Sequence, residues 1–409
     1  MLSIRVNLLL VIVLAGLALC NVSSAKNLSR TGVARVLYIG EPYYSATPVP
    51  YMVSDPLIDV HKVEASIWLG STTKIMKSMR MYMPRSYSDL LEKYDVVVLS
   101  DANLQTLRHS HVQWIGDSVE AGMGLFMAGG YETLGAYRDG VDWGPSRVGE
   151  VLPVHTHDHG FDLEMPAVVE IEDWDNPFIR SIPWERLVHP YNIFGAGGGV
   201  NHVTPKPGSD LLAWLRRLKD GHRHPFLVDW DLEDGRSMIM SADWTPAAAG
   251  YFIQWDYYRD YVLGLMLYVA QKDLPSDYDF LHLIRGKFFE YRVRVDIVYS
   301  VIEFIDKFGA NARPVEEMLS EADAIREEAG TRYLHYDFNE ANEEIDSALD
   351  VLHRCSEVAT ELKNSALIWI YLTEWSVVSA TGLIGGVVLY SLMVRRRSFR
   401  EVETTRGVG

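Results

Sequence analysis

Four short apolar runs in this chain lead into acidic residues. Residues 34–39 (ARVLYI) run into Gly40-Glu41, residues 95–100 (DVVVLS) into Asp101-Ala102-Asn103, residues 124–128 (GLFMA) into Gly129-Gly130-Tyr131-Glu132, and residues 237–241 (SMIMS) into Asp243. Near-continuous apolar runs of this length have the texture of strands buried on both faces. In an open parallel sheet, ligands bind beyond the carboxyl ends of such strands. If the runs are neighbours, Glu41, Asp101, Glu132 and Asp243 line one crevice suited to a cation, an amine or sugar hydroxyls. For Asp101 and Asp243 a second role stays open, capping of a following helix, a job for which Glu is poorly shaped. The turn Gly129-Gly130-Tyr131 either offers backbone N–H groups to an acceptor or is simply tight. Acids gathered without a counter-charge raise one another's pKa, so a ligand or a basic residue is expected among them, with Arg138 and Arg236 the local candidates.

A second constellation is Val154-His155-Thr156-His157-Asp158-His159. On a strand the three histidines share a face at about 6.7 Å per step, so the outer two are too far apart for one ion. His155 and His157, with a carboxylate from elsewhere, are the candidate ligands for zinc or another divalent metal. The alternative is three solvated histidines on an edge strand or loop. His189, His202, His222 and His224 fall among Pro- and Gly-rich stretches and show no ligand spacing. No other cofactor is expected.

These residues need a scaffold, and residues 34–271 alternate β-type runs with helical or loop stretches. That pattern predicts an α/β fold with a largely parallel sheet, including a strand at 226–228, closed by an aromatic-rich helix over 251–271. Six segments in order, 35–41 (RVLYIGE), 94–101 (YDVVVLSD), 124–135 (GLFMAGGYETLG), 148–154 (VGEVLPV), 201–212 (NHVTPKPGSDLL) and 235–243 (GRSMIMSAD), resemble a family. It is the "putative glutamine amidotransferase" domain of the class I glutamine amidotransferase-like superfamily, over about residues 34–271. The resemblance implies a flavodoxin-like three-layer sandwich. In true amidotransferases it also implies a cysteine at a strand-to-helix elbow that attacks the glutamine amide, helped by a histidine and an acid. The elbow should follow residues 124–128, where this chain has Gly129-Gly130 and no thiol or hydroxyl. The only two cysteines are Cys20, in an N-terminal apolar run, and Cys355, in an acidic helical segment. The thioester route is therefore absent and no catalytic residue is assigned. Two cysteines also exclude a disulfide framework, a Cys-rich zinc site and an Fe–S cluster.

The ends of the chain address a membrane. Residues 8–20 form an apolar run after Arg5 and precede the small residues Ser23-Ser24-Ala25, which predicts a signal peptide over 1–25. Residues 375–394 carry no charge, about 30 Å as a helix, and Arg395-Arg396-Arg397 follow at once. This predicts a single-pass transmembrane helix with a basic cytoplasmic tail over 395–409 and the bulk of the chain outside. Residues 280–365 read as an acidic helical stalk. Residues 314–363 hold 14 acids and four bases, and Ile345, Leu349, Leu352, Ser356, Ala359, Leu362 and Ala366 make a coiled-coil-type seam. With 38 Lys+Arg against 55 Asp+Glu, the net charge of -17 leaves nucleic-acid binding without an electrostatic source. Gly382 and Gly386 form a GxxxG pair that would allow a homodimer, and Asn27 begins a sequon. The expected protein is membrane-anchored and extracytoplasmic, with a non-catalytic domain that binds a ligand or scaffolds an envelope protein partner. The alternative is a metal- or carboxylate-dependent hydrolase of extracellular carbohydrate or amide.

Overall fold

The computed structural model describes residues 32–41, 48–66, 71–137, 140–163, 166–187, 199–232, 234–245, 252–275, 277–308 and 311–406. The predicted signal peptide, the Asn27 sequon, Arg138 and His189 lie outside the described residues.

The apolar runs become strands: β1 (Ala34–Gly40), β2 (Ile58–Glu64), β3 (Val96–Ser100) and β4 (Gly124–Ala128). They are followed by β5 (Val154–Leu163), β6 (Ala167–Ile171), β7 (Gly199–Pro205), β8 (Asp210–Arg217), β9 (Arg223–Leu232) and β10 (Gly235–Met240). One eight-stranded sheet has the order β2-β1-β3-β4-β10-β9-β8-β6, and β5 pairs with β7 separately. From β2 through β10 the pairings are parallel, and from β10 through β9 and β8 to β6 they are antiparallel. The strand read at 226–228 is therefore not a further parallel strand. It lies in β9, which returns as a hairpin with β10, and its apolar run reflects burial rather than parallel pairing.

Helices cover both faces of the parallel half; the domain's helices include α1 (Pro48–Ser54), α2 (Thr72–Tyr82), α3 (Tyr87–Lys93) and α6 (Pro177–Arg180). Leu37, Ile39, Val97, Leu99, Leu125, Met127 and Ile239 pack into one core with Ile115 and Val119 of α4 (His109–Glu120) and Val148 and Val151 of α5 (Arg147–Val151). The alternate residues face the other way, where Trp244 lies against Tyr38 and Phe126. There Tyr261, on α7 (Tyr258–Val269), reaches Met240. Period-two alternation with both sets apolar is what a sheet buried between helix layers requires.

The C-terminal part is helical: α8 (Tyr278–Lys307), α9 (Arg313–Leu334) and α10 (Phe338–Arg406). Two compact units divide it. The first turns of α8 and residues 330–338 belong with the α/β domain, and Glu290–Ala329 with Asn339–Gly409 forms the second unit. In the second unit, Ala341, Ile345, Ala348, Leu352, Cys355 and Ala359 are buried. The seam thus uses Ala348 and Cys355 where the heptad reading chose Leu349 and Ser356, one residue later, which are only half-buried. Cys355 Sγ lies 3.4 Å from the Val315 carbonyl. Past Ala366 the apolar side chains of α10 are exposed, and the helix is long and apolar enough to cross a membrane.

Candidate functional site

Register brings the strand ends together. Gly40 pairs with Ser100, Ser100 with Ala128, and Ala128 with Met240, so the four parallel strands stop in one row. The residues that follow, Glu41, Asp101, the elbow at Gly129 and the segment to Asp243, leave the sheet from adjacent strands about 4.8 Å apart. Glu41, Asp101, Glu132 and Asp243 are all buried.

Each acid is held differently. Glu41 is anchored by its own N–H, which donates to the Ser100 carbonyl at 3.1 Å. Asp101 has a left-handed backbone (φ 47°), a conformation that Asp and Asn tolerate better than most residues. Its Oδ1 accepts the Glu132 N–H at 3.2 Å, across to the elbow, rather than capping its own segment. The cap of the next helical turn is Asn103, whose Oδ1 accepts the Gln105 N–H. Asp243 accepts both the N–H and the hydroxyl of Thr245, at 2.9 and 2.5 Å, as a local turn. Glu132 receives the Asn103 amide at 3.5 Å.

Burial, and then the negative charges of Asp243, Glu132 and Glu41, push the Asp101 carboxyl well above the usual carboxylate range. Burial pushes Asp243 up to about 6, against the hydrogen bonds from Thr245. Arg236 does not supply the counter-charge. It sits at the opposite end of β10, beside Asp231 and Asp229 and 4.1 Å from the Tyr268 ring centroid.

The elbow is built by packing. Gly129 N–H donates to the Met240 carbonyl at 2.7 Å, and Gly130 N–H donates to Asn201 Oδ1 at 2.8 Å. Both donors are thus used within the protein. The Asn201 amide returns bonds to the carbonyls of Gly130 and Thr133, and the Trp143 indole N–H reaches the carbonyls of Ala102 and Glu132. Gly130 has φ 153°, and a Cβ there would lie 2.1 Å from Asp101 Oδ1; one on Gly129 would lie 2.3 Å from the Ser241 carbonyl oxygen. Tyr131 turns to a ring cluster with Tyr137 and Phe161.

The histidines distribute differently from the sequence pattern. His155 and His157 are exposed on β5, and His157 Nε2 hydrogen-bonds with Thr204 Oγ1 at 2.8 Å. Among the described residues, the group able to hold a metal is Asp162, His202 and His224, whose ligand atoms lie within 4.8 Å of one another. They come from β5, β7 and β9. His202 and His224 are therefore strand residues, not loop residues, and their convergence depends on register, which the local sequences Asn201-His202-Val203 and His224-Pro225-Phe226 do not signal. Asn201 was equally hidden, since a single Asn in a strand carries no motif.

Residues 76–270 match the model of the family described as "Putative glutamine amidotransferase". Among solved structures the chain is similar to a cytoplasmic protein from Salmonella typhimurium LT2, at 18% identity over 57% of this chain and 99% of that one, with a TM-score of 0.45. A second cytoplasmic protein from Salmonella typhimurium is similar at 18% identity, covering 57% and 98%, with a TM-score of 0.46. A β-galactosidase from Rahnella sp. R3 is similar at 12% identity, covering 60% of this chain and 32% of that one, with a TM-score of 0.34. No curated protein matches the chain.

Proposed function

We propose that this is a membrane-anchored, extracytoplasmic protein whose glutamine amidotransferase-like domain, a variant of the flavodoxin-like sandwich, has given up thiol chemistry and binds a ligand at its carboxyl cluster. One observation carries the reading. At the elbow no side chain fits, because a Cβ on Gly130 would collide with Asp101 and one on Gly129 with the backbone after β10. The position of the nucleophile is thus closed by an acid that the neighbouring strand delivers. Acceptor oxygens dominate what remains, which favours a ligand that brings positive charge or donors: an amine, a divalent cation or a polyol.

The test uses the full chain in detergent. Ammonia release from glutamine is expected to be nil, and putrescine, Ca²⁺ or glucosamine is expected to raise the Tm of the wild type but not of Asp101→Asn, a substitution that the left-handed backbone accepts. Glutamine hydrolysis, or equal shifts in both proteins, would overturn the reading. Envelope cross-linking addresses the scaffold role, and a cross-linked dimer lost in Gly382→Leu would assign self-association to the GxxxG pair.

A second reading, a carboxylate-dependent hydrolase, is favoured by one feature. Asp243 near 6, beside the raised Asp101, resembles paired carboxyls arranged for acid–base work near neutrality. Turnover of 4-nitrophenyl glycosides with a bell-shaped pH profile, abolished in Asp243→Asn, would select it over the binder.

A further inference from the structure

The outer side of β7 carries chemistry that the carboxyl cluster does not use. Successive strand residues point to opposite faces. Asn201 reaches the elbow, so His202 faces away from it. Asp162, on the neighbouring strand β5, pairs with Val200 of β7, which places its side chain on the same face as His202. His224 arrives from β9 and is only 6% exposed.

The three groups meet at close range. Asp162 Oδ2 is 3.2 Å from His202 Nε2 and 3.5 Å from His224 Nε2. Neither Nε2 makes a hydrogen bond of acceptable geometry, although both are shielded from solvent. A buried imidazole nitrogen left in that state is costly unless something else satisfies it. The spacing suggests what does: with metal–ligand bonds of about 2.0–2.1 Å, neighbouring ligand atoms in a tetrahedron stand about 3.3–3.4 Å apart. The two imidazole rings stack at 26° with centroids 5.4 Å apart.

We propose that Asp162, His202 and His224 form a two-histidine, one-carboxylate site for a divalent transition metal, zinc in first place. Two imidazole nitrogens select zinc and its neighbours over calcium or magnesium, which prefer all-oxygen shells. Three protein ligands leave the fourth position to water, the pattern of an open rather than a structural site. Arg217 Nη1 donates to Asp162 Oδ2 at 2.9 Å and fixes the carboxylate, the part an outer partner plays around a metal. Arg217 is itself tied to Asp220, which takes up part of its charge. The site is independent of the carboxyl cluster and of the ligand proposed there.

The experiment is titration of the full-length chain, stripped with EDTA and held in detergent, with Zn²⁺ alone, repeated with Co²⁺ to read coordination from its visible bands. One equivalent of zinc and a tetrahedral cobalt spectrum are expected. His202 is partly exposed, so His202→Ala should stay folded; in it, affinity should fall beyond the about 10–100-fold that loss of an outer partner costs. His224→Gln should behave alike, and the double variant His155→Ala/His157→Ala should bind as the wild type does. Absence of zinc uptake by the folded wild type, equimolar uptake retained in His202→Ala, or uptake lost only in the His155/His157 variant would overturn the site.

Discussion

Asp243 titrates near 6 and Asp101 higher than an ordinary carboxyl, so in the folded protein both bind protons that the unfolded chain has released. Between about pH 4 and pH 6 the native state then holds more protons than the unfolded state, and stability falls as pH rises through that window. The contribution is fully present below the unfolded pKa near 4 and is lost above the folded value. Asp243 accounts for an effect on the order of a few kcal/mol, and Asp101 acts in the same direction. A Tm profile from pH 4.5 to 7.5 should therefore descend toward neutrality, and Asp243→Asn should flatten it; because Asp229 is also pushed up to about 6, some slope must survive. An unchanged slope in the variant would remove Asp243 from the account. Gly130→Ala tests the closed elbow: its backbone conformation alone should cost about 1–3 kcal/mol, before the collision with Asp101 adds to it. A chemical denaturation midpoint equal to the wild type would mean that the turn relaxes and that the nucleophile position is not closed. At this scale the four acids were legible because each follows an apolar run. The metal triad was not, because its members stand 40 and 22 residues apart on three strands and only pairing brings them together.

Elements supply the precision that the residues lack. β7 is hydrogen-bonded to β5 and touches the end of β10 through a bridge between Val200 and Ala242, which places Asn201 where it clasps the elbow from both sides. Asn201→Ala should leave the Gly130 N–H and carbonyl buried without this partner, at about 1–3 kcal/mol for each group. Hydrogen exchange at residues 129–133 would rise locally if the clasp is real; uniform loss of protection through the sheet would assign Asn201 to the core instead. A second tie holds the start of α8. Arg285 is buried with Asp55 and Asp260, at 3.4 and 3.1 Å, and Tyr333 and His282 complete the group. Burial pushes Asp260 up, but the His282 hydrogen bond and the Arg285 charge outweigh it and hold its carboxyl low, whereas Asp55 is left raised. Arg285→Met removes the guanidinium that contacts both buried acids and should cost about 3–5 kcal/mol. A smaller loss would mean that the acids protonate cheaply. Four strands of the parallel half, β1, β3, β4 and β10, could be read from composition, since Val96–Ser100 and Gly124–Ala128 are apolar but for Ser100; β2 (IDVHKVE), an edge strand with four polar residues among seven, was missed. The direction of β9 was missed because burial on two faces erases the alternation that marks antiparallel strands. The Asp234-Gly235 step before β10 was the available turn signal. Ile345, Leu352, Ala359 and Ala366 of the expected seam are buried, but Leu349 and Ser356 miss it by one residue because the small side chains of Ala348 and Cys355 take those tight positions.

For the whole molecule the governing observation is the exposed apolar end of α10, which is long enough to cross a membrane. Trp369, Trp375, Leu383, Leu389 and Tyr390 each expose well over half of their area, a continuous apolar sleeve far larger than a soluble surface sustains. A hydrocarbon layer of about 30 Å accepts about 20 such residues, and residues 375–394 provide that length without a charge. The proposed orientation rests on charge. Arg395, Arg396 and Arg397 stand directly after the apolar stretch, and arginines near a span stay on the cytoplasmic side. In the topology we propose, the residues before the span, with both the carboxyl cluster and the proposed metal site, lie outside, where zinc and polyols meet a protein without crossing a membrane. The expectation is that protease added to intact cells removes an epitope placed within residues 34–271 and leaves one appended after Gly409 protected. Chains ending before residue 368 should appear in the soluble fraction. Protection of the N-terminal epitope until the cells are permeabilised would invert the topology, and retention of the shortened chain in membranes would take the anchor away from α10. An outside location also makes the metal and carboxyl predictions separable in living cells: an external chelator should act on the former while external pH acts on the latter.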